Sequence, residues 1–464
     1  MRLQRVSSAA PPLHGSDAAR LAADRHARKV ERVAAGLRSR AGGRPLSLKK
    51  KSVSHQVPKP RDRKYGDDKV DLTDLDEILE IDLDARTCTA EPGVTFTDLV
   101  DATLPLGLAP IVVPELKTIT VGGAVSGCAL ESTSFQHGGF HDTCLAYEVL
   151  TAPGERLHCT PDNEHALVFQ MMHGAFGTLG ILSQLTFRLI PAGPYVHVAY
   201  ETYTTLADYR AAIGRRFVAR DVDFMDGLIH SPTAHVLSLG RFVPAAPYTN
   251  RYDWLKVYYR STRTRRDDYL RTADYFFRYD NGVTNVHPRS ALGRLLLGKF
   301  LHSSEILRLA EKVRHLLPAE RPDVTVDLFV PFSRFEAFMA WYERVVGHFP
   351  LWCVPYRRVR DYEWIAPDVF AGVEDELFID LAIYGMKQPP GRNIYQELEE
   401  ALPRFNGIKT LISHNYYAPD AFWRIWNRDN YAAVKAVTDP YNVFRDLYSK
   451  TCRAPQGLDD LEAA

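Results

Sequence analysis

From Asp17 to Arg40 the chain runs in a helical period: Leu21, Val30, Val33 and Leu37 share one side, while Arg25, Arg28, Lys29 and Arg32 fall mostly elsewhere. Ala41-Gly42-Gly43 ends that helix, and the period then shortens to two. The stretches from Glu77 to Asp82 and from Thr87 to Glu91 predict strands on either side of an Asp84-Ala85-Arg86 turn. Thr95, with Asp98 three residues on, has the form of a capping box, and Gly107 is placed to stop the helix it opens. Cys144 to Thr151 and Arg156 to Cys159 predict a hairpin around Ala152-Pro153-Gly154-Glu155. Thr160 followed by Pro161 predicts another helix start. Leu185, Phe187 and Leu189 alternate with Thr186 and Arg188 up to Pro191, the pattern of a strand with one buried face.

Beyond Pro194 the texture changes. Aromatic runs such as Trp254 to Tyr259 and Tyr275-Phe276-Phe277 mark a second unit, and Ala418 to Ser449 reads as helix until Asp439-Pro440-Tyr441-Asn442 interrupts it. The expected class is α+β. The expected division is a tail and basic helix over 1–43, a first domain over 44–195, a second over 196–417, and a return segment over 418–464.

Composition narrows the function classes. Hydrophobic residues are 45% and charged residues 25% of 464, the balance of an ordinary globular protein. Lys plus Arg and Asp plus Glu are both 57, so no overall field selects for nucleic acid. Six cysteines (Cys88, Cys128, Cys144, Cys159, Cys353, Cys452) stand singly, which reads as reduced thiols of a cytoplasmic protein. No run approaches the roughly 18 apolar residues of a membrane span. The acid-free first dozen residues, with Pro11-Pro12, read as a disordered start. The basic helix is expected to pack on the next domain with its charges solvated. Its resting on a membrane surface is the alternative, so the expected location is cytoplasmic with peripheral membrane contact left open.

Three segments bear on chemistry. In the first, Pro114 to Gly127, Gly122, Gly123 and Gly127 let a backbone approach a ligand closely. Thr118 or Thr120 is placed to cap a short helix whose start favours a diphosphate. The segment is not G-x-G-x-x-G, so a Rossmann site is not supported. In the second, Glu131 to Asp142, His137 and His141 stand four apart, but Gly138-Gly139 between them makes a helix unsuited, and no metal is expected. The third, Gly174 to Ile181, is a Gly-rich bend entering a strand. Taken singly, each is explained equally well by tight packing.

Their order and spacing resemble the FAD-binding domain of the vanillyl-alcohol-oxidase (PCMH-type) superfamily. Asp439-Pro440-Tyr441-Asn442-Val443-Phe444 is similar to that superfamily's return to the flavin domain. A closer resemblance, over most of residues 45–450, is to the Δ24-sterol reductases. It rests on Ile78 to Asp82, Glu91 to Thr95, Val113 to Leu116, Gly127 to Ser134, Ala146-Tyr147-Glu148, Cys159-Thr160-Pro161 and Leu351 to Pro355.

The resemblance implies a two-domain PCMH-type FAD-binding fold with a mixed α/β substrate (cap) domain. It implies diphosphate and ribose contacts from Thr120, Gly122, Gly123, Ser126, Gly127 and Ser132, beside the cofactor-binding candidate Thr118. Gly177, Thr178, Gly180 and Ile181 are implied along the adenine or isoalloxazine. Two departures stand out. The eukaryotic members carry an N-terminal membrane anchor, for which no apolar run is present. The family's Gly-rich first phosphate loop corresponds here to Leu48 to Gln56, where three lysines with Ser52 and Ser54 would bind phosphate by charge and hydroxyls. His55 sits where some relatives attach FAD covalently, but without the glycines that present it, so a non-covalent flavin is expected.

The implied reaction is NADPH-dependent reduction of a lipid double bond, in a sterol side chain or a methylene fatty acyl chain. Alternatives on the same fold are an alcohol or sugar oxidase using oxygen, and a non-catalytic flavin- or lipid-binding protein. Saturating an alkene needs a general acid. Tyr416, then His414, near the return to the flavin domain, and Tyr258 are the expected donors.

Overall fold

The computed structural model describes residues 16–52, 59–252, 256–280 and 322–460. A parallel pair joins β1 (Leu46–Lys49) and β2 (Asp68–Asp71). Six strands, β3 (Ile78–Asp82), β4 (Thr87–Ala90), β5 (Leu108–Pro110), β6 (Cys144–Leu150), β7 (Arg156–Cys159) and β8 (Ile181–Pro191), form one sheet in the order β3-β4-β8-β6-β7, with β5 also on β8. Eight more form a second, antiparallel sheet: β9 (Tyr195–Tyr203), β10 (Phe224–Ser231), β11 (Ala234–Val243), β12 (Asp267–Arg271), β13 (Val324–Pro331), β14 (Leu351–Arg357), β15 (Leu377–Met386) and β16 (Ile408–Lys409). Their order is β12-β9-β11-β10-β14-β15-β13-β16. The class is α+β, with the mixed helices and sheets of a two-domain PCMH-type fold. Among the described residues no helix is long and apolar enough to cross a membrane.

Local chemistry explains much of the first half. Thr95 and Asp98 form the capping box of the helix Phe96–Thr103, and Gly107 closes the following turn at φ 72°. Arg86 takes φ 52° in the turn between β3 and β4. In β8, Leu185, Phe187 and Leu189 are buried, as their alternation requires. The start expected at Thr160 is displaced: the helix is Ala166–Met171. Asn163 is the reason, because its Oδ1 accepts from the backbone N–H of both Thr160 and His165, each at 3.1 Å, and holds the intervening loop.

The first helix, Ser16–Arg38, packs through Val30, Val33 and Leu37. Its charges are not simply solvated. Arg25 pairs with Glu77, Lys29 reaches the buried Glu91 at 2.8 Å, and the ring of His26 meets Glu91 at 2.9 Å. The face that would lie on a membrane is thus partly spent on the protein's own carboxylates. The tail is two helices, Pro419–Trp423 and Arg428–Thr438, rather than one. It returns to the first sheet's side: Phe444 bridges Leu46, and the buried Lys435 ammonium donates to Thr178 O at 2.9 Å and Phe444 O at 2.8 Å.

The second sheet is apolar on both faces, with period two. One face, including Met225, Leu237, Val326, Leu328, Cys353, Ile379 and Leu381, forms a core with the helices Leu206–Ala219, Phe335–Val345 and Ile394–Ala401. The other, including Phe224, Leu228, Trp352, Val354 and Ala382, shares a core with the first sheet. That second face also carries Asp226, Asp327 and Asp380, one residue out of step with the apolar positions behind them. Carboxyl groups are thereby brought between the two sheets.

Candidate active site

A cavity of about 680 Å³ is walled by residues of both sheets and by the loops between them. That is the size of a small-molecule or cofactor site.

Its glycine wall comes from the segment Thr118 to Gly127. Thr120 caps the short helix Val121–Ser126 by accepting from Gly123 N at 3.2 Å. The other first-turn donors are also spent: Val121 N on Val94 O (3.0 Å), Gly122 N on Pro92 O (3.0 Å) and Ala124 N on Thr120 O (2.8 Å). The expectation that this helix start offers free N–H groups to a diphosphate is therefore not met. What the glycines provide is room. A Cβ on Gly122 would stand 2.6 Å from Pro92 Cβ, so that glycine serves packing. A Cβ on Gly123 would meet only Thr120 Oγ1, so a larger side chain there would grow into the cavity. Gly177 and Gly180, at φ +70° and +132°, line the same space in a backbone region that disfavours side chains.

Positive charge replaces the helix start. Lys49, Lys50, Lys51, Lys64, Lys69 and Lys450 line the cavity with Ser52. Lys49 and Lys51 pair with Asp71 (2.6 Å) and Asp76 (2.5 Å), and Lys69 donates to Ser47 Oγ at 2.6 Å. The Lys450 ammonium has no carboxylate within ion-pair distance among the described residues. Burial, with Lys64 and Lys50 nearby, pulls it down to about 7. A diphosphate is the kind of group that would supply the missing counter-charge.

Elsewhere in the cavity the wall is acidic and aromatic: Glu115, Asp327, Phe329, Trp352, Asp380 and Tyr384. Burial, then Glu131, pushes Glu115 up to about 8, and burial pushes Asp327 up to about 7. Asp380 is raised by burial and then by Asp327 and Glu115. Behind Trp352 lies a different arrangement. Its indole N–H donates to Asp226 Oδ2 at 3.0 Å, and Arg278 joins Asp226 (3.1 Å) to Glu131 (2.9 Å). The guanidinium lies 4.0 Å from the Tyr275 ring centroid and 4.7 Å from that of Tyr279.

Of the residues anticipated at a cofactor, Ser52, Thr118, Thr120, Gly122, Gly123, Ser126, Gly127, Gly177 and Gly180 line this cavity. Three do not. Ser132 is buried against Glu131 and Tyr275, the Thr178 hydroxyl donates to Ala175 O at 2.7 Å, and Ile181 belongs to the core beneath the first helix. Ser54 and His55 lie outside the described residues.

None of the expected proton donors lines the cavity. Tyr416 packs against the helix-side core, its backbone N–H donating to Glu399 at 3.0 Å. His414 is buried near Lys59 and Lys409; desolvation first, then those two charges, push it down to about 3, so at neutral pH it is an uncharged imidazole rather than an imidazolium acid. Tyr258 is buried beside Arg278 and Tyr279. The carboxyls were the residues missed. Their sequence signal was present as a single Asp inside the apolar run Leu377-Phe378-Ile379-Asp380-Leu381-Ala382-Ile383, and again at Asp327.

An open glycine wall, lysines along one part and aromatics with carboxyls along another fit a flavin dinucleotide in size and charge. Comparison with known proteins agrees. A family model described as FAD binding domain matches residues 58–160. The human Delta(24)-sterol reductase is 26% identical over 406 residues, 82% of this chain and 77% of that protein. The pea (Pisum sativum) Delta(24)-sterol reductase is 25% identical over 434 residues, 82% and 76% of the two chains. Decaprenylphosphoryl-beta-D-ribose oxidase of Mycolicibacterium smegmatis is 33% identical over 137 residues, 28% and 30% of the two. The chain is thus a Δ24-sterol-reductase-like oxidoreductase built on a PCMH-type FAD-binding fold.

Proposed function

We propose that this protein uses NADPH and a non-covalently held FAD to saturate a carbon–carbon double bond in a lipid. The observation that carries the reading is the single cavity that joins a lysine-lined part to an aromatic, carboxyl-bearing part. Lys450 and the lysines of 49–51 would hold the diphosphate, with Gly123 and Gly127 leaving room for it. When bound, FAD supplies hydride exchange at its N5 atom. Phe329, Trp352 and Ile412 would line an apolar alkene and exclude water. In this reading residues 44–195 and 418–464 form the flavin domain and 196–417 the substrate cap.

The test is anaerobic addition of NADPH or NADH to the purified protein, followed at the flavin absorbance. A sterol with a side-chain alkene, a methylene fatty acyl substrate, or oxygen is then added. Bleaching by NADPH and recovery with a lipid alkene is the expected result. Recovery only with oxygen would replace this reading by the oxidase one, which the match to the ribose oxidase favours. Absence of any flavin would overturn both.

A further inference from the structure

We propose that Asp380 is the acid that protonates the alkene, with Asp327 and Glu115 as the positioning residues that keep its proton in place. The inference rests on the reductase reading above and names the residue that the reaction requires.

The geometry comes from strand register. β13 and β15 are hydrogen-bonded neighbours, with Asp327 opposite Ala382 and Phe329 opposite Asp380. Asp327 and Asp380 are therefore diagonal neighbours on one sheet face, a spacing of roughly 7–8 Å between positions. The small side chain of Ala382 lies directly across from Asp327, leaving the space over it open. Glu115 enters from the other wall, on the loop preceding the Thr120-capped helix, and all three acids line the cavity.

Asp380 is 5% exposed, and its Oδ1 has no hydrogen-bond partner. A buried polar oxygen left unpaired is costly unless a ligand or a proton occupies it. Among the described residues no cation reaches ion-pair distance of any of the three. The buried Arg278 guanidinium is committed to Asp226 and Glu131. The groups facing Asp380 are Asp327 from β13, Tyr356 from β14, Tyr384 on its own strand, and Glu115 and Glu131 from the flavin side. All of these are neutral or acidic. Like charges crowded in a low-dielectric site retain protons, which is the state a proton donor needs. No group of three His, Cys, Asp or Glu among the described residues stands close enough to hold a metal, so ion binding does not account for the cluster.

The step balances. The Asp380 O–H bond breaks and a C–H bond forms at one alkene carbon from the π electron pair. FAD, when bound, would supply the hydride for the other carbon from NADPH. The alkene is reduced, NADPH is oxidised, and the carboxylate left at Asp380 is reprotonated from Asp327 or Glu115 and finally from water.

The test uses FAD-loaded protein and the variants Asp380→Asn, Asp327→Asn and Glu115→Gln. Wild type at pH 7 should show the infrared band of a neutral carboxyl, weakened in Asp380→Asn with flavin content unchanged. Flavin reduction by NADPH should stay within about threefold, whereas reoxidation by the alkene should slow by roughly 10²–10⁴-fold in Asp380→Asn. Glu115→Gln and Asp327→Asn should move the alkaline limb of reoxidation to lower pH, because each removes a neighbour that would become charged. Wild-type reoxidation rates in Asp380→Asn, or an unchanged carboxyl band, would overturn Asp380 as donor while the reductase reading stood. Failure of every lipid alkene to reoxidise wild type would overturn that reading, and the donor with it.

Discussion

One face of the second sheet carries two sets of carboxyls with different partners. Asp226, with Glu131 opposite it, surrounds Arg278 and is tied further by the Trp352 indole and the Tyr279 hydroxyl. Asp327 and Asp380, with Glu115 opposite them, have no such cation and open onto the cavity. Asp226, Glu131 and Asp380 are buried and Asp327 and Glu115 half-buried; the plainest difference between the sets is the cationic partner. Arg278 joins Asp226 to Glu131, although burial still pushes Glu131 up to about 7. The second set meets only neutral and acidic neighbours, and burial with those neighbours raises Glu115 and Asp380.

Breaking the paired set should have the largest effect. Arg278→Met leaves Asp226 and Glu131 buried without a cation, and should cost about 3–5 kcal/mol in a denaturant titration. Next comes the cofactor wall: Gly123→Val should abolish flavin content while the chain stays soluble and folded, read by absorbance and circular dichroism. Full occupancy in that variant would remove this segment from the diphosphate site.

A smaller effect is expected at Lys450. Its ammonium titrates near 7 in the folded protein against an ordinary value of 10.5, so its charge is lost as pH rises through about 7. FAD affinity should fall over that range. Lys450→Met should weaken binding by about 10- to 100-fold at low pH and flatten the dependence, by isothermal titration.

Glu115 sharpens the comparison through stability. Its folded value of about 8 lies above the ordinary 4.5, so its contribution is complete below pH 4.5 and is lost as pH rises from there through 8. Melting of Glu115→Gln should gain on wild type at pH 8 relative to pH 5. The smallest effect is expected at Tyr416→Phe, which should leave both flavin half-reactions within about threefold.

The parts of this site that local chemistry determines were legible in the sequence. Thr95 with Asp98, Thr120 before its glycines, and the alternation of Leu185, Phe187 and Leu189 each act over a few residues, and each does so in the structure. Lys49 to Lys51, expected to stand in for a Gly-rich phosphate loop, line the cavity. What could not be read was pairing across distance. Asp327 and Asp380 are 53 positions apart and meet only through the β13–β15 register, and Glu115 joins them from a distant loop. Tyr416 and His414 lie close to the return segment in sequence, yet the chain there faces Glu399, Tyr395 and Lys409 rather than the cavity. Even the Thr120 cap, correctly placed, gave the wrong consequence, since the N–H groups it leaves are taken by Val94 and Pro92.

In the proposed reading, one cavity would bind FAD with its diphosphate among the lysines and its isoalloxazine beside Asp380, Asp327 and Glu115. A crystal structure of the FAD-loaded protein tests this most directly. The predicted result is density for the diphosphate near Lys450 and the Gly123 wall, with the flavin ring against the carboxyl-bearing face of β13 and β15. A flavin ring lying among the lysines, or FAD bound outside this cavity, would contradict it.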